Sequence, residues 1–213
     1  MDTLMARTMD DEEKRKRILE GSRALFLHEG VSSLSMDEIA SRQGISKKTL
    51  YKYFANKGQL VAEAIEGRIG EIASQVDALA KDRARSFPER MGAILGIVAR
   101  QLAELGDSLV KDMLYREPEL WKRIDRFRRE HVFVAISSLF EEGIRDGYIR
   151  ADLDSRLVPT IFFSAVSAIM SPAQFFMLTS PPAVVFETLV QILLGGILTD
   201  KGHRQLISKG VKE

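Results

Sequence analysis

The sequence predicts an all-α fold, with a small N-terminal unit of three short helices joined through a long helix to a larger helical body. Three observations carry that expectation. Apolar residues recur at helical spacing, and no segment alternates like a strand leading into a hairpin turn. Helix starts and stops are written in capping residues and glycines. The composition, 45% hydrophobic and 29% charged over 213 residues, is that of a globular chain able to bury one or two cores.

Ile18, Ser22, Leu25 and Phe26 share one face, so residues 11–29 form an amphipathic helix that Gly30 ends. Ser35 and Glu38 stand at capping-box spacing and open a short helix before Gly44. Ser46 caps the next, 47–54. Asn56 with Gln59 repeats the pattern and opens a long helix to about residue 83. Ser86-Phe87-Pro88 starts another, which stops at Gly106. A short helix at 109–116 breaks at Glu117-Pro118, and 119–146 stops at Gly147. Asp154 caps a helix to about 171, and a last one fills about 183–200. That makes about nine helices, with residues 1–55 as the small unit and 56–213 as the body.

Net charge is only +1, from 31 basic and 30 acidic side chains, but its distribution is uneven. Between Ile39 and Ala62 no residue is acidic, while Arg42, Lys47, Lys48, Lys52 and Lys57 are basic. Such a stretch is either a solvated face or the footprint of an anionic partner. The basic run 14–17, KRKR, reads as solvent-facing. At the other extreme, Leu157 to Phe186 contains no ionisable residue. Pro159, Pro172, Pro181 and Pro182 interrupt it, so it lacks the unbroken ~18–20 apolar residues of a membrane span.

Several chemistries have no support. There is no cysteine for disulfide or thiolate work, and His28, His131 and His203 lack ligand spacing. No zinc-protease, phosphate-loop or serine-elbow motif is present. Neither an enzyme nor a metal or other cofactor is expected. The start of the chain lacks a secretory pattern, which fits a cytoplasmic protein.

What remains is a constellation around residues 35–54. A helix-turn-helix needs a small residue where its helices cross, a glycine at the turn and apolar residues to fix the angle. Ala40, Gly44, and Ile39, Ile45 and Leu50 meet these demands within twelve residues. The second helix carries Lys47 and Lys48 at the end that enters a groove, with Thr49 and Lys52 on one side. Tyr51 reads as a phosphate contact and Phe54 as core; Tyr53 fits either role. Lys57 adds a cation beside the amides that start the next helix.

The stretch Gly30 to Leu60, GVSSLSMDEIASRQGISKKTLYKYFANKGQL, resembles the TetR family of one-component transcription regulators, above all in ISKKTLYKYF followed by NK. RILEGSRALF is similar to that family's first helix. The resemblance implies a sequence-specific DNA-binding regulator, a repressor released from its operator by a small effector. By position it implies that Lys47, Lys48 and Lys52 face bases or nearby phosphates. Thr49, Tyr51 and Tyr53 would clamp the backbone, Lys57 would anchor it, and Ser35 would lie near a phosphate. Two positions depart from the family pattern. Gln43 replaces a small apolar residue, and Gly58 replaces an acidic one, weakening the helix start by roughly 0.5–1 kcal/mol relative to alanine.

The body is rich in bulky side chains, among them Leu95, Met113, Trp121, Phe127, Phe162 and Phe163, with His131 nearby as a polar group. At helical spacing such residues are ordinarily core; the resemblance implies an effector cavity that some of them line. The charge-free segment then argues for an apolar or aromatic effector. The long helix starting at Asn56, continuous with both parts, is the expected lever. Ala165, Ala168 and Ile169, with Leu189, Ile192, Gly195 and Gly196, offer a small, apolar surface on the two last helices, suited to a homodimer. The alternative is a helical small-molecule or protein-binding module whose N-terminal unit is only structural; the five unopposed cations speak against it.

Overall fold

A computed structural model describes residues 2–210 apart from 170, 176 and 179, and side chains within 11–206 except, in addition, 114, 172 and 175. The chain runs through α1 (Asp2–Glu29), α2 (Met36–Arg42), α3 (Lys47–Tyr53), α4 (Lys57–Lys81), α5 (Phe87–Glu104) and α6 (Asp107–Tyr115). It continues through α7 (Pro118–Arg145), α8 (Leu157–Ile169), α9 (Pro172–Phe175), α10 (Pro182–Ile197) and α11 (Asp200–Gly210). Extended pairing among the described residues is limited to one isolated bridge between Ile149 and Leu198. None of the described helices is long and apolar enough to cross a membrane.

The helices fall into two compact units. The first comprises Met1–Ile69 with Leu105–Leu120, and the second Gly70–Glu104 with Trp121–Glu213. The division falls inside α4, and α6 belongs to the first unit rather than to the body in which the sequence reading places it. The long helix is therefore not the only stretch of chain common to both, because the backbone returns to the first unit at residue 105 and leaves it after 120.

In the first unit, Phe26, Leu34, Ile39, Leu50, Phe54 and Leu60 are fully buried and hold α1 to α4 around one small core. α6 packs on α1 and adds Leu109, Val110 and Met113 to the buried set. Its Asp112, only 4% exposed, supplies the polar closure. One carboxylate oxygen accepts the backbone N–H groups of Val31 at 2.6 Å and Ser32 at 2.7 Å. Gly30, at φ +82°, makes that approach possible; a Cβ there would stand 2.8 Å from the same oxygen.

The second unit packs α5, α7, α8, α10 and α11 around Phe87, Met91, Ile94, Leu139, Phe140, Ile149, Phe162 and Leu194. Arg90 is almost wholly buried there, where it pairs with Glu142 and donates to the Ala80 carbonyl at 2.8 Å. Among the described residues the eleven helices are two more than the sequence marks. Beyond the four-residue α9, the addition is α11. Leu198 turns extended and bridges Ile149, and the Thr199 hydroxyl accepts from Gly202 N–H at 3.2 Å to start the new helix. The cap signal, Thr199 before Asp200, lies in the sequence; only the bridge shows why the preceding helix ends there.

Candidate nucleic-acid interface

Local chemistry fixes both helices of the motif. The Ser35 hydroxyl accepts from Glu38 N–H at 3.2 Å, and Ser35 N–H donates back to the Glu38 carboxylate at 2.7 Å, completing the expected capping box. At the next start, the Ser46 hydroxyl accepts from Thr49 N–H at 3.0 Å. Between them Gly44 takes φ +65°, a left-handed conformation that side-chain-bearing residues adopt at a cost. Ala40, 2% exposed, lies beneath the crossing, and Leu50 anchors the inner side of α3. α4 opens as expected, with Gln59 N–H donating to Asn56 Oδ1 at 2.9 Å, although the return bond goes from Ala55 N–H rather than from Asn56.

Gln43, a departure from the family pattern, has a use here. Its amide donates to the buried Ser22 hydroxyl at 2.9 Å and lies against Gly21, where a Cβ would come within 2.7 Å of the Gln43 side-chain oxygen. The polar residue is thus matched by a glycine on α1.

Lys47, Lys48, Tyr51 and Lys52 are all exposed, while Thr49, Tyr53 and Lys57 are half-buried. Thr49 and Ser35 spend their hydroxyls on caps, Thr49 lying 2.8 Å from Ser46 Oγ. Tyr51 remains 43% exposed beneath the Lys47 ammonium, 5.9 Å from its ring centre. Phe54 is fully buried, as expected of a core residue.

The lysines are not unopposed in space. Lys47 Nζ lies 2.8 Å from a carboxylate oxygen of Asp37, on α2. Lys52 Nζ lies 2.7 and 2.9 Å from the two oxygens of Asp11, on α1, and the Tyr53 hydroxyl donates to that carboxylate at 2.7 Å. The hydrogen bond from Lys52, and then that from Tyr53, hold the Asp11 carboxyl below its usual range; Asp37 raises Lys47 and Asp11 raises Lys52. Sequence reading missed Asp11 and Asp37 because both lie outside the acid-free stretch. Lys48 has no ion pair with a described residue. The run 14–17 is also tied up: Arg15 pairs with Glu63 and lies over the Phe54 ring, Arg17 pairs with Glu13, and Lys16 faces Glu20.

Lys57 borders a cavity of about 300 Å³ in the same unit, lined also by Val31, Ser32, Gly58, Val61, Asp112, Arg116 and Glu117. None of the residues expected to line an effector cavity takes part in it. Of those, Met113 is buried in the first unit and the other six belong to the second. There Phe162 packs on Phe140 and Phe163 on Phe133, each pair with ring centres 5.3 Å apart. Trp121 carries the Arg128 guanidinium at 4.9 Å, and Leu95 is partly buried against the core. His131 stacks on Phe127 at 4.1 Å and hydrogen-bonds the Phe127 carbonyl through Nδ1. Among the described residues no group of three or more histidines and carboxylates is placed to hold a metal ion.

Comparison with known proteins agrees with this geometry. Residues 18–64 match the family described as bacterial regulatory proteins, tetR family. The HTH-type transcriptional regulator YvaF of Bacillus subtilis is 24% identical over 186 residues, spanning 87% of this chain and 96% of that protein. The HTH-type transcriptional repressor KstR of Mycobacterium tuberculosis is 24% identical over 138 residues, 63% of this chain and 60% of that protein. The fold is shared with the transcriptional regulator FadR of Bacillus subtilis, solved in complex with stearoyl-CoA, at a TM-score of 0.60 and 18% identity over 85% of this chain and 98% of that one. Its helix-turn-helix and the match over residues 18–64 give this chain the DNA-binding region of the tetR-family regulatory proteins, and the relatives it resembles are transcription regulators.

Proposed function

We propose that the chain is a homodimeric repressor that lays α3 in the major groove of a palindromic operator and lets go when a small, largely apolar effector occupies its helical body. In this reading residues 1–55 recognise DNA, and 56–213 supply effector binding and pairing. The protein works in the cytoplasm by binding rather than by catalysis. The observation that carries the reading is α3 itself: one short, doubly capped helix exposes Lys47, Lys48, Tyr51 and Lys52 while burying Leu50. Lys57 anchors the backbone from α4, Tyr51 and Lys48 reach it directly, and Tyr53, Thr49 and Ser35 keep the elements in register. Selection from random duplexes tests this. The recovered sequence should be a palindrome bound with a steep salt dependence. Replacing Lys47, Lys48 and Lys52 together by alanine should weaken binding at least a hundredfold, each lost contact counting ~1–3 kcal/mol. Unchanged binding would exclude α3 as the reading helix.

Pairing is supported by α8 and α10, which pack together and leave Leu157, Ile161, Val184 and Ile192 exposed beside Ala168, Gly195 and Gly196. Such a face is costly in water and suits a second copy of itself.

For the effector, the stearoyl-CoA held by the similar Bacillus regulator points to a long acyl chain, in keeping with the charge-free α8 and the aromatic side chains of α7 and α8. Stearoyl-CoA should raise the melting temperature and weaken operator binding, whereas coenzyme A alone should do neither. Stabilisation by small, highly charged metabolites and not by acyl compounds would refute an apolar cavity.

A further inference from the structure

The carboxylate of Asp11 has no counterpart in the expectation of an unopposed cationic helix. It comes from α1, 41 residues before the lysine it meets, and it engages two groups of the recognition helix at once. Both its oxygens approach Lys52 Nζ, at 2.7 and 2.9 Å, and one accepts the Tyr53 hydroxyl at 2.7 Å. The ammonium in turn lies 5.0 Å from the Tyr53 ring centre, so acid, base and phenol form a closed cluster. The Asp11 and Lys52 side chains remain about half exposed, and an anion arriving from solvent can reach them.

From this juxtaposition we infer that Asp11 is a specificity-determining residue, which restrains the recognition helix from binding DNA indiscriminately. The inference rests on α3 being the DNA-reading helix. Its physical basis is competition. Non-specific affinity comes from cations that neutralise phosphates and release counterions. Lys52 is already neutralised, so a phosphate reaching it either displaces the carboxylate or sits beside a like charge. Exchange on an arbitrary duplex therefore gains little, because one ion pair is traded for another of similar strength. A matched duplex adds base-edge contacts along α3, and for those the cluster is an advantage: it holds Lys52 and Tyr53 in one orientation before binding. Asp11 thus lowers affinity for every sequence by its charge and costs least where the groove fits. Asp37 does the same to Lys47 from the neighbouring helix, while Lys48 keeps its charge available for first encounter.

The test compares Asp11→Asn with wild type on two duplexes, the palindrome recovered by selection and a scramble of the same composition, each titrated across salt. Asparagine keeps the shape and the Tyr53 hydrogen bond but removes the charge. Binding to the scramble should tighten by roughly three- to tenfold at low salt, and its salt slope should steepen by up to about 0.9, one additional phosphate neutralised. The palindrome should gain less, so the ratio between the duplexes falls. Glu20→Gln removes a carboxylate from the same helix, one that faces only Lys16, and should leave the ratio where it was. An unaltered ratio in Asp11→Asn, with both duplexes shifting in parallel or neither shifting, would overturn the inference, as would weaker binding to the scramble by a variant whose melting curve matches wild type. If wild type itself binds neither duplex, the α3 reading fails instead, and the two failures are told apart.

Discussion

On α3 two of the exposed lysines are tied to neighbouring elements, Lys47 to Asp37 and Lys52 to Asp11, whereas α8 and α10 present Leu157, Ile161, Val184 and Ile192 to solvent. Both are surfaces of short amphipathic helices over well-buried cores, so burial alone does not distinguish them. What distinguishes them is what each would lose in water. An ion pair at the surface is already solvated and exchanges partners at little cost. An exposed isoleucine or leucine forgoes roughly 1.5–3 kcal/mol that a covering surface would return. The first kind of surface suits a reversible anionic partner, and the second a lasting neighbour of the same kind.

The largest expected effect breaks the apolar side of that contrast. Ile192, 67% exposed on α10, contributes little to the fold of a single chain, so Ile192→Glu should fold normally yet sediment as a monomer at micromolar concentration. Operator affinity should fall about a hundredfold or more, because two half-sites then lose their linkage. A wild-type protein that sediments as a monomer would remove the premise.

Next in size is the buried ionic tie within the first unit. Asp112→Ala leaves the amides of Val31 and Ser32 without an acceptor, and should cost about 2–3 kcal/mol in denaturant unfolding. Loss of less than half a kilocalorie would mean that water replaces the carboxylate. Ser35→Ala, at an exposed cap, should cost about 1 kcal/mol. Here pH sharpens the comparison. Bonds from the Ser35 hydroxyl, then from its backbone N–H, hold the Glu38 carboxyl below its usual range. A depressed folded value means that the stabilisation is present at neutral pH and disappears as pH falls through it. The difference between wild type and Ser35→Ala should therefore shrink below about pH 4 and stay constant above about pH 6.

The smallest effect belongs to Lys57. Lys57→Ala should weaken binding only several-fold, equally on palindrome and scramble, and lower the salt slope by about one. A change of sequence preference in that variant would move Lys57 from the backbone to the bases.

Most of the helix-turn-helix was legible because its instructions are local. Ser35 with Glu38, Ser46 with Thr49, and Asn56 with Gln59 each act across three residues, and the conformation of Gly44 is a property of one. Helix ends set by distant partners were harder to see. α10 stops where Leu198 leaves to bridge Ile149, a pairing that no cap residue announces, and α11 was missed with it. In the body, Phe162 and Phe163 read equally well as core or as cavity lining, since hydrophobic spacing specifies a buried face and not what lies against it.

By itself the sequence determined the all-helical class, the boundaries of α2 and α3 and the cations they carry, because periodicity and capping operate within a turn or two of chain. Only the tertiary structure decided that Asp11 and Asp37 stand against those cations. Only it placed α6 in the first unit, with Asp112 closing on amides 81 and 80 residues away, and matched Gln43 to the space that Gly21 leaves. Each is an encounter between elements far apart in sequence. Local spacing cannot encode such an encounter, because it exists only once the helices have packed.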